Sequence, residues 1–407
     1  MYVLEERLHY RNYVTARLTR KAPIYDWYVF PHSFSKELVH ELLEDFGATT
    51  NSIVYDPFVG AGTTLLACRE KNIRAFGTDQ LPFSVFVSNV KVCDYNFEEL
   101  QQILDGFMLQ DSDSQVFGSI PIIGQAFTER IKTKISSIYN WIQSLPEKQA
   151  DFFLLALLFI LEDVSQTQKS GGWLRFIDNK VEPNDVEELF KARARKMITD
   201  LASVNLPRNL GLWRVILGDA RLASDLNQRF DYVISSPPYL NRHDYTRVFV
   251  LEMALHFVKT NQELIKLRAS AFRSHVEAKS PTVGGNGYTP TDTLRTVLAK
   301  VELEVREQDK RRIPTMIEGY FEDMRLTLAA LYPQVENNGK VAFVLGNVRF
   351  SGVMISVDEI VAEIGEQIGF TTDKIIVARY RGNSAQQMAQ YGREPARESI
   401  IIFDKVA

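Results

Sequence analysis

The sequence predicts an α/β fold built on a mostly parallel seven-stranded sheet, with a helical insertion and a smaller basic insertion. Two short apolar runs, Asn51–Asp56 and Asp231–Ser235, are typical of buried parallel strands. A glycine-rich turn follows the first run, and amphipathic helical segments separate the strand-like runs. The chain has 407 residues, 45% of them hydrophobic, which is enough for one domain with a large core.

The turn after the first strand has the sequence DPFVGAGTT over residues 56–64. Gly60 and Gly62 allow the backbone to approach a ligand closely, and Thr63 and Thr64 open a helix. A second strand, Ile73–Asp79, follows and ends in a carboxylate. That position usually holds a ribose in a βαβ nucleotide site. Glycine turn, helix and acid in this order predict a nucleotide-like ligand.

The run Asp231–Ser235 ends in Ser236-Pro237-Pro238-Tyr239. Two prolines fix the backbone and remove two donors, so the carbonyls before them become rigid acceptors. Acceptors beside an aromatic ring suit a planar group that bears an NH2, such as a nucleobase. The alternative for these four residues alone is a proline-terminated strand with a core tyrosine.

Taken together, DPFVGAGTT and SSPPY resemble the S-adenosylmethionine-dependent amino-methyltransferases of DNA, which have a Rossmann-like fold. The resemblance implies a donor site at the first motif and a flipped target base at the second. Residues implied for the donor are His32, Ser33, Phe34, Asp56, Pro57, Phe58, Gly60, Gly62, Thr63, Thr64, Asp79, Gln80, Asp219 and Ala220. Residues implied for catalysis at the base are Ser236, Pro237, Pro238 and Tyr239.

The roles implied for residues 32–34 and for Asp219 depend on where each stands relative to a helix or a strand. His32, Ser33 and Phe34 stand at the entry of an amphipathic helix that extends to Phe46, and this helix could serve packing alone. Asp219 ends a strand beginning at Trp213, and the resemblance implies that it accepts from the adenine amino group of the donor. Residues 241–245 follow the base motif so closely that at least one should line the pocket.

Bulk composition excludes several classes. The net charge of −4 leaves no global basic surface, so contact with nucleic acid must come from local patches. Cys68 and Cys93 lack CxxC spacing, which excludes a zinc cluster, and neither follows a proline as the nucleophile of a 5-cytosine methyltransferase would. The apolar run 152–161 is too short to span a bilayer. We therefore expect a cytoplasmic protein without a metal, a membrane partner or a signal peptide.

The predicted organisation has five parts. Residues 1–96 form the N-terminal arm and the donor-binding half, 97–210 a helical insertion, 211–260 the half with the catalytic motif, 261–313 a candidate target-recognition insertion, and 314–407 the end of the sheet. The aromatic and basic residues before position 30 are expected to pack on the domain, with a DNA-contacting arm as the alternative. The basic run 191–196 favours a solvated helix face.

The resemblance implies methylation of the exocyclic N4 of cytosine in double-stranded DNA, because SPP(Y/F) is typical of cytosine-N4 enzymes. The alternatives are N6 of adenine and an RNA amino group. A base within a duplex cannot reach such a pocket, so base flipping is implied. A restriction-modification role with a cognate restriction endonuclease is expected. Related enzymes with SPPY often place it before the donor motif, and here the order is reversed.

Overall fold

The structure is a computed structural model that describes residues 2–110, 115–208, 211–222, 226, 228–240, 244–279, 288–382 and 391–406. Its strands are β1 Leu4–Glu6, β2 Ile53–Asp56, β3 Arg74–Asp79, β4 Thr167–Ser170, β5 Trp173–Phe176, β6 Trp213–Leu217, β7 Phe230–Ser235, β8 Val335–Gly346, β9 Val348–Phe350, β10 Val353–Ile355, β11 Thr371–Arg381 and β12 Ala396–Asp404. Its helices are α1 Lys36–Asp45, α2 Thr63–Glu70, α3 Pro82–Val92, α4 Phe97–Asp105, α5 Ile123–Ala126, α6 Glu129–Gln143, α7 Glu147–Ile160, α8 Pro183–Ser203, α9 Tyr245–Val248, α10 Val250–Glu252, α11 Asn261–Ser270, α12 Asp292–Glu304, α13 Arg312–Leu331 and α14 Val357–Ile368.

The central sheet has the strand order β1-β11-β12-β8-β7-β2-β3-β6, and β12 alone runs against the others. The mostly parallel α/β fold is as predicted, but the sheet has eight strands rather than seven. The additional strand is β1, which pairs Leu4 with Ile375 at the edge. The sequence did not signal it, because three residues with an exposed–intermediate–exposed pattern make no apolar run.

The strand order reverses between β2 and β7. From β2 the chain proceeds through β3 to β6 on one side, and β7 and β8 continue on the other. Open α/β sheets bind ligands at such a switch point, beyond the carboxyl ends of the strands. Asp56 ends β2 and Ser235 ends β7, so the two sequence motifs start at adjacent strand ends.

Helices cover both faces of the sheet, as a parallel sheet requires. On β8, Ala342 and Val344 pack with the core that includes α1, α2 and α3. Val341, Phe343 and Leu345 alternate with them and pack with α13 and α14 on the other face. The two layers hold the carboxyl strand ends in a fixed arrangement.

The N-terminal segment packs on the domain, as favoured over a free arm. Tyr10 and Trp27 are fully buried. The Trp27 indole donates to Asp200 Oδ2 of α8 at 3.0 Å, and its ring lies edge-on to Phe152 of α7. The helices between residues 97 and 203 therefore rest against the segment that leads to the first motif.

Local predictions met mixed outcomes. The apolar spacing of 357–368 predicts a helix, and the β-rich runs 373–379 and 398–403 predict a closing antiparallel pair; both are confirmed. The sequence also predicts a loop over 169–175 and a helix after residue 245. The first is instead part of a hairpin, β4–β5, and the second is divided into α9, α10 and a π-helical turn, Met253–Phe257. The flexible stretch expected at Gly284–Gly287 and the solvated loop expected around Asn383, Gln386 and Gln387 lie outside the described residues, as do Asn241, Arg242 and His243, whereas Asp244 and Tyr245 line the cleft described below.

Candidate active site

A single cleft at the carboxyl ends of β2, β3 and β7 brings both motifs together, with an empty volume of about 1090 Å³ that includes its open mouth. Most of the residues predicted from the sequence line it: His32, Ser33, Phe34, Asp56, Pro57, Phe58, Gly60, Thr63, Asp79, Gln80, Ala220, Ser236 and Pro238. Gly62, Thr64, Asp219, Pro237 and Tyr239 are not among its lining residues.

Asp56 joins the two motifs across the switch point. Its buried carboxylate accepts from Ser235 Oγ at 2.6 Å and from the Phe58 backbone N–H at 3.1 Å. Thr64 Oγ1, at the start of α2, donates to the Ile234 carbonyl of β7 at 3.2 Å, which adds a second contact between the two motif regions. Burial raises the pKa of Asp56 to about 6, against the opposing effect of its hydrogen bonds. Asp56 thereby holds the donor loop in register with the base motif.

Asp79 fixes the glycine turn. Its carboxylate accepts from the Gly60 N–H at 3.0 Å and from the Leu81 N–H at 2.9 Å. Burial raises the pKa of Asp79 to about 6, although these backbone hydrogen bonds act in the opposite direction. The carboxylate lies on the cleft wall, so it can also accept hydroxyl groups from a ligand.

The two glycines of the turn have different physical roles. Gly60 lines the cleft with φ +50°, and a Cβ there would lie 3.8 Å from the Phe30 ring. Gly62 has φ +80°, and a Cβ there would lie 3.0 Å from both Cβ and Oγ of Ser88 on α3. A side chain at Gly62 would therefore meet α3, and a contact between this residue and a ligand stays a prediction. Glycine is needed at 62 because α2 and α3 pack closely.

The base motif presents Ser236 and Pro238 to the cleft. Ser236 Oγ donates to the Val344 carbonyl at 3.3 Å, which leaves its lone pairs available. Tyr239 is only 4% exposed, and its hydroxyl donates to Glu398 Oε1 at 2.9 Å. Burial, with the nearby Glu398 carboxylate, raises the pKa of Tyr239 well above its ordinary value, so the phenol stays protonated. Stacking of a base on this ring therefore requires a neighbouring group to move.

His32 is the exposed neighbour of Tyr239, with 5.9 Å between the two ring centroids. It has φ +63°, an uncommon backbone conformation for a residue with a side chain. Helix α1 begins at Lys36, and Ser35 is its N-cap. Residues 32–34 consequently lie in the loop before the helix, where they line the cleft.

The carboxylate of Asp219 is bound by side chains of the protein itself. Its carboxylate pairs with Arg221 at 2.7 Å and accepts from Gln80 Nε2 at 2.8 Å. Arg221 also pairs with Asp323 on α13 at 3.2 Å. Asp219 thus takes part in an internal ion-pair network, and the acceptor role that the resemblance implies for it stays a prediction; Ala220 beside it lines the cleft.

Comparisons with known proteins agree with this geometry. A family model described as DNA methylase, for N6 and N4 methyltransferases, matches residues 8–85, which include the glycine turn. Type II methyltransferase M.BsoBI of Geobacillus stearothermophilus is 29% identical over 450 residues, covering 97% of this chain and 88% of that protein. Type II methyltransferase M.AvaI of a Nostoc species is 28% identical over 430 residues, covering 97% and 89%. The family model and these relatives support the resemblance of this chain to the amino-methyltransferases of DNA.

Among solved structures, the glycopeptide N-methyltransferase MtfA with bound S-adenosylmethionine matches the methyltransferase at a TM-score of 0.31 and 7% identity, covering 93% of this chain and 98% of that one. A TM-score this low supports no conclusion, and the assignment depends on the family model and the sequence relatives.

The methyl donor of the methyltransferase is S-adenosylmethionine. The cleft fits it: Asp79 offers a carboxylate to ribose hydroxyls, Gly60 leaves its wall without a side chain, and Phe30 and Phe58 supply apolar surface. When bound, the donor supplies a methyl group already activated on a sulfonium. The protein's task is then to hold two reactants in alignment.

Two structural supports of the cleft were not predicted from the sequence. The buried Lys91 amine on α3 donates to the carbonyls of Tyr25, Tyr28 and Ala61 at 3.0, 2.7 and 3.0 Å. It thereby ties the N-terminal segment to the glycine turn. The other support is the segment 271–275, which lines the cleft through Phe272 and His275. A lone lysine in an apolar helix was a visible signal for the first, whereas nothing in the pattern marked the second.

Within the described residues, no group of three or more His, Cys, Asp or Glu side chains is arranged to hold a metal. None of the helices in the described ranges combines the length and apolarity that crossing a membrane needs.

Part of the basic insertion is committed to internal contacts. Arg268 pairs with Asp244 at 2.7 Å, and Arg273 pairs with Asp323 and Glu322 at 2.6 and 2.9 Å. In the helical insertion, Arg193 is buried and donates to the Asp26 carbonyl. These arginines hold the fold together, so they are poor candidates for DNA phosphate contacts.

Proposed function

We propose that this DNA methyltransferase transfers a methyl group to the exocyclic N4 of cytosine in double-stranded DNA. The observation that carries the proposal is the placement of Ser236 in one cleft with Asp79 and Gly60. A hydroxyl at the first position of the base motif both donates and accepts, so when Ser236 exchanges its bond to the Val344 carbonyl it can face an amine and the ring N3 beside it. A carboxylate there would serve only as an acceptor.

The residues divide the work as follows. Ser236 Oγ and the Pro237 carbonyl accept the hydrogens of the target amine, which draws its nitrogen toward tetrahedral geometry. Asp79 and the Gly60 turn hold the donor, together with His32, Ser33 and Phe34 of the same cleft. Tyr239, whose hydroxyl donates to Glu398, lies behind the lining of the cleft, and its ring stacks on the base once its neighbours His32 and Arg381 move.

Methylation of adenine N6 is the nearest alternative, because adenine N1 stands beside its amine as cytosine N3 does. An RNA amino group is the second alternative. Both share the donor site and differ only in the base that enters the pocket.

For target recognition we propose the exposed basic side chains of 261–313, chiefly Lys310, Arg311 and Arg312. Lys310 pairs with Glu307 at 2.6 Å but is 48% exposed, so a phosphate can compete for it. Neutralising these three side chains should flatten the salt dependence of DNA binding. If the salt slope and the sequence preference both persist, recognition lies in another part of the chain.

We also propose that the enzyme protects DNA against a cognate restriction endonuclease. The support is that its relatives over nearly their whole length are named Type II methyltransferases. DNA methylated by this enzyme should resist the partner nuclease, while unmethylated DNA of the same sequence is cut.

The deciding experiment is nucleoside analysis. The protein is incubated with labelled donor and with either plasmid DNA or RNA, and the hydrolysed products are separated by mass spectrometry. We expect N4-methylcytosine in DNA. N6-methyladenine without N4-methylcytosine would overturn the base assignment, and label only in RNA would overturn DNA as the substrate.

A paired variant tests the role of Ser236. Ser236→Ala should lower kcat while leaving the donor Kd nearly unchanged, because the lost contact acts on the base amine. Ser33→Ala, on the donor side of the same cleft, serves as the matched control. It should weaken donor binding more than it lowers kcat. Equal effects of both variants on donor affinity would contradict the division of roles.

A further inference from the structure

The hairpin β4–β5 exposes a large aromatic side chain beside the cleft. Trp173, at the start of β5, is 61% exposed, whereas Trp27 is fully buried and Trp213 is nearly so. Its partner across the hairpin is Ser170, and Gly171 and Gly172 form the turn between them. A tryptophan in water leaves a large apolar surface unburied, so its exposure calls for a partner.

The inward face of this hairpin is firmly anchored. Lys169 Nζ donates to the Tyr28 hydroxyl at 2.8 Å and pairs with the fully buried Glu252 at 2.6 Å. The Lys169 amine also lies 5.2 Å from the ring centroid of Phe249. These contacts leave little freedom for the strand and fix which face points outward.

The outward face has a composition suited to nucleic acid. Side chains alternate along a strand, so Trp173 and Arg175 share the face that carries Gln168 and Ser170. Arg175 is exposed and donates to Gln168 Oε1 at 2.9 Å. An aromatic ring for stacking, a guanidinium and small polar groups make up such a surface.

The hairpin also stands at the right place. Its turn residue Gly171 lines a surface cavity together with the exposed Arg20 and with Pro31 and His32. His32 in turn contacts Tyr239 of the base motif through the 5.9 Å ring pair. The hairpin turn therefore lines the same cavity as His32, the ring neighbour of Tyr239.

We propose that the outward face of β4–β5 binds the target DNA duplex, with Trp173 inserting at the base step that the flipped nucleotide leaves. Arg175 and Arg20 contact the phosphates on either side. An apolar wedge at an unstacked step offsets the cost of extruding a base. The inference depends on the proposed function, because it assumes that a duplex is the substrate and that a base leaves it.

Two measurements test the surface. Titration of the wild-type protein with mixed-sequence plasmid DNA should quench its tryptophan emission, and Trp173→Phe should remove most of that quenching, since the other described tryptophans are less exposed. In methyl transfer to the same plasmid, Trp173→Ala should lower kcat/KM for DNA roughly tenfold or more. Donor Kd should stay within about twofold. Met108→Ala, which truncates a side chain that is 79% exposed elsewhere, should behave as wild type.

The outcomes separate this inference from the proposed function. Unchanged quenching in Trp173→Phe together with unchanged kcat/KM in Trp173→Ala would overturn the role of the hairpin while leaving the enzyme's activity intact. A wild-type protein that binds DNA through Trp173 yet transfers no methyl group to it would overturn the proposed function instead. If Trp173→Ala lowers the molecular mass in light scattering without weakening DNA binding, the surface is a contact between two copies, and the proposal is wrong.

Discussion

Gly62→Ala should destabilise the fold because its methyl group would overlap helix α3. The new Cβ would lie 3.0 Å from Cβ and Oγ of Ser88, and the backbone has φ +80°. A left-handed non-glycine residue costs roughly 1–2 kcal/mol, and overpacking adds about 1–3 kcal/mol. We expect urea unfolding followed by circular dichroism to show a loss of roughly 2–5 kcal/mol in the free energy of unfolding.

Gly60→Ala is the matched control. Its φ of +50° imposes a similar backbone cost, but its Cβ would lie 3.8 Å from Phe30, an ordinary contact. The loss of stability should therefore stay near 1–2 kcal/mol, by order of magnitude. Because Gly60 lines the cleft, this variant should weaken donor binding more, relative to its effect on stability, than Gly62→Ala does.

A double-mutant cycle isolates the overlap. Ser88→Gly removes the two nearest atoms that the new methyl group would meet and leaves Ser88 Cα at 3.1 Å, so Gly62→Ala should cost less in that background by about 1 kcal/mol or more. A coupling energy between Gly62→Ala and Ser88→Gly that lies within measurement error would contradict the overlap. Equal urea midpoints for Gly62→Ala and Gly60→Ala would contradict it as well.

Two further predictions concern titratable groups. With a pKa near 6, Asp79 is ionised at neutral pH, so donor affinity should fall as pH drops through 6 and be about tenfold weaker at pH 5. Calorimetry on Asp79→Asn should show weak donor binding that does not change with pH. If the pH dependence of donor binding survives in this variant, it points to Asp56 instead. Burial lowers the pKa of Lys91 to about 7 in the folded chain, so the unfolded chain binds the extra proton and stability should rise between about pH 7 and 10. Lys91→Met should remove that rise and cost roughly 2 kcal/mol by leaving carbonyls unpaired, and a variant with the wild-type pH profile would contradict the assignment.

Much of the fold followed from local pattern. The strand ends at Asp56, Asp79 and Ser235 were visible because buried parallel strands make apolar runs that stop at polar residues. Helix α14 was predicted to its residue bounds because its apolar side chains recur with helical spacing. Strand β1 was not, since an edge strand that pairs on one side needs no apolar run.

Long-range pairing explains the remaining differences at the site. Which partner Asp219 meets depends on Arg221 and Asp323, and the second of these lies on a helix a hundred residues away. Tyr239 is buried because Glu398 of the last strand accepts from its hydroxyl. Such contacts depend on how distant segments pack against each other. Local residue type and spacing do not show which distant segments meet.

Photo-crosslinking of the donor tests the central claim most directly, because the account places donor and target base in one cleft at the ends of β2, β3 and β7. The wild-type protein is irradiated with methyl-labelled S-adenosylmethionine, digested, and the labelled peptide is sequenced. We expect the label in peptides that contain Phe30–Phe34 or Asp56–Thr64, and excess unlabelled donor should abolish it. Label that excess unlabelled donor abolishes, but that is found only in α4–α8 or in α12, would contradict the shared cleft.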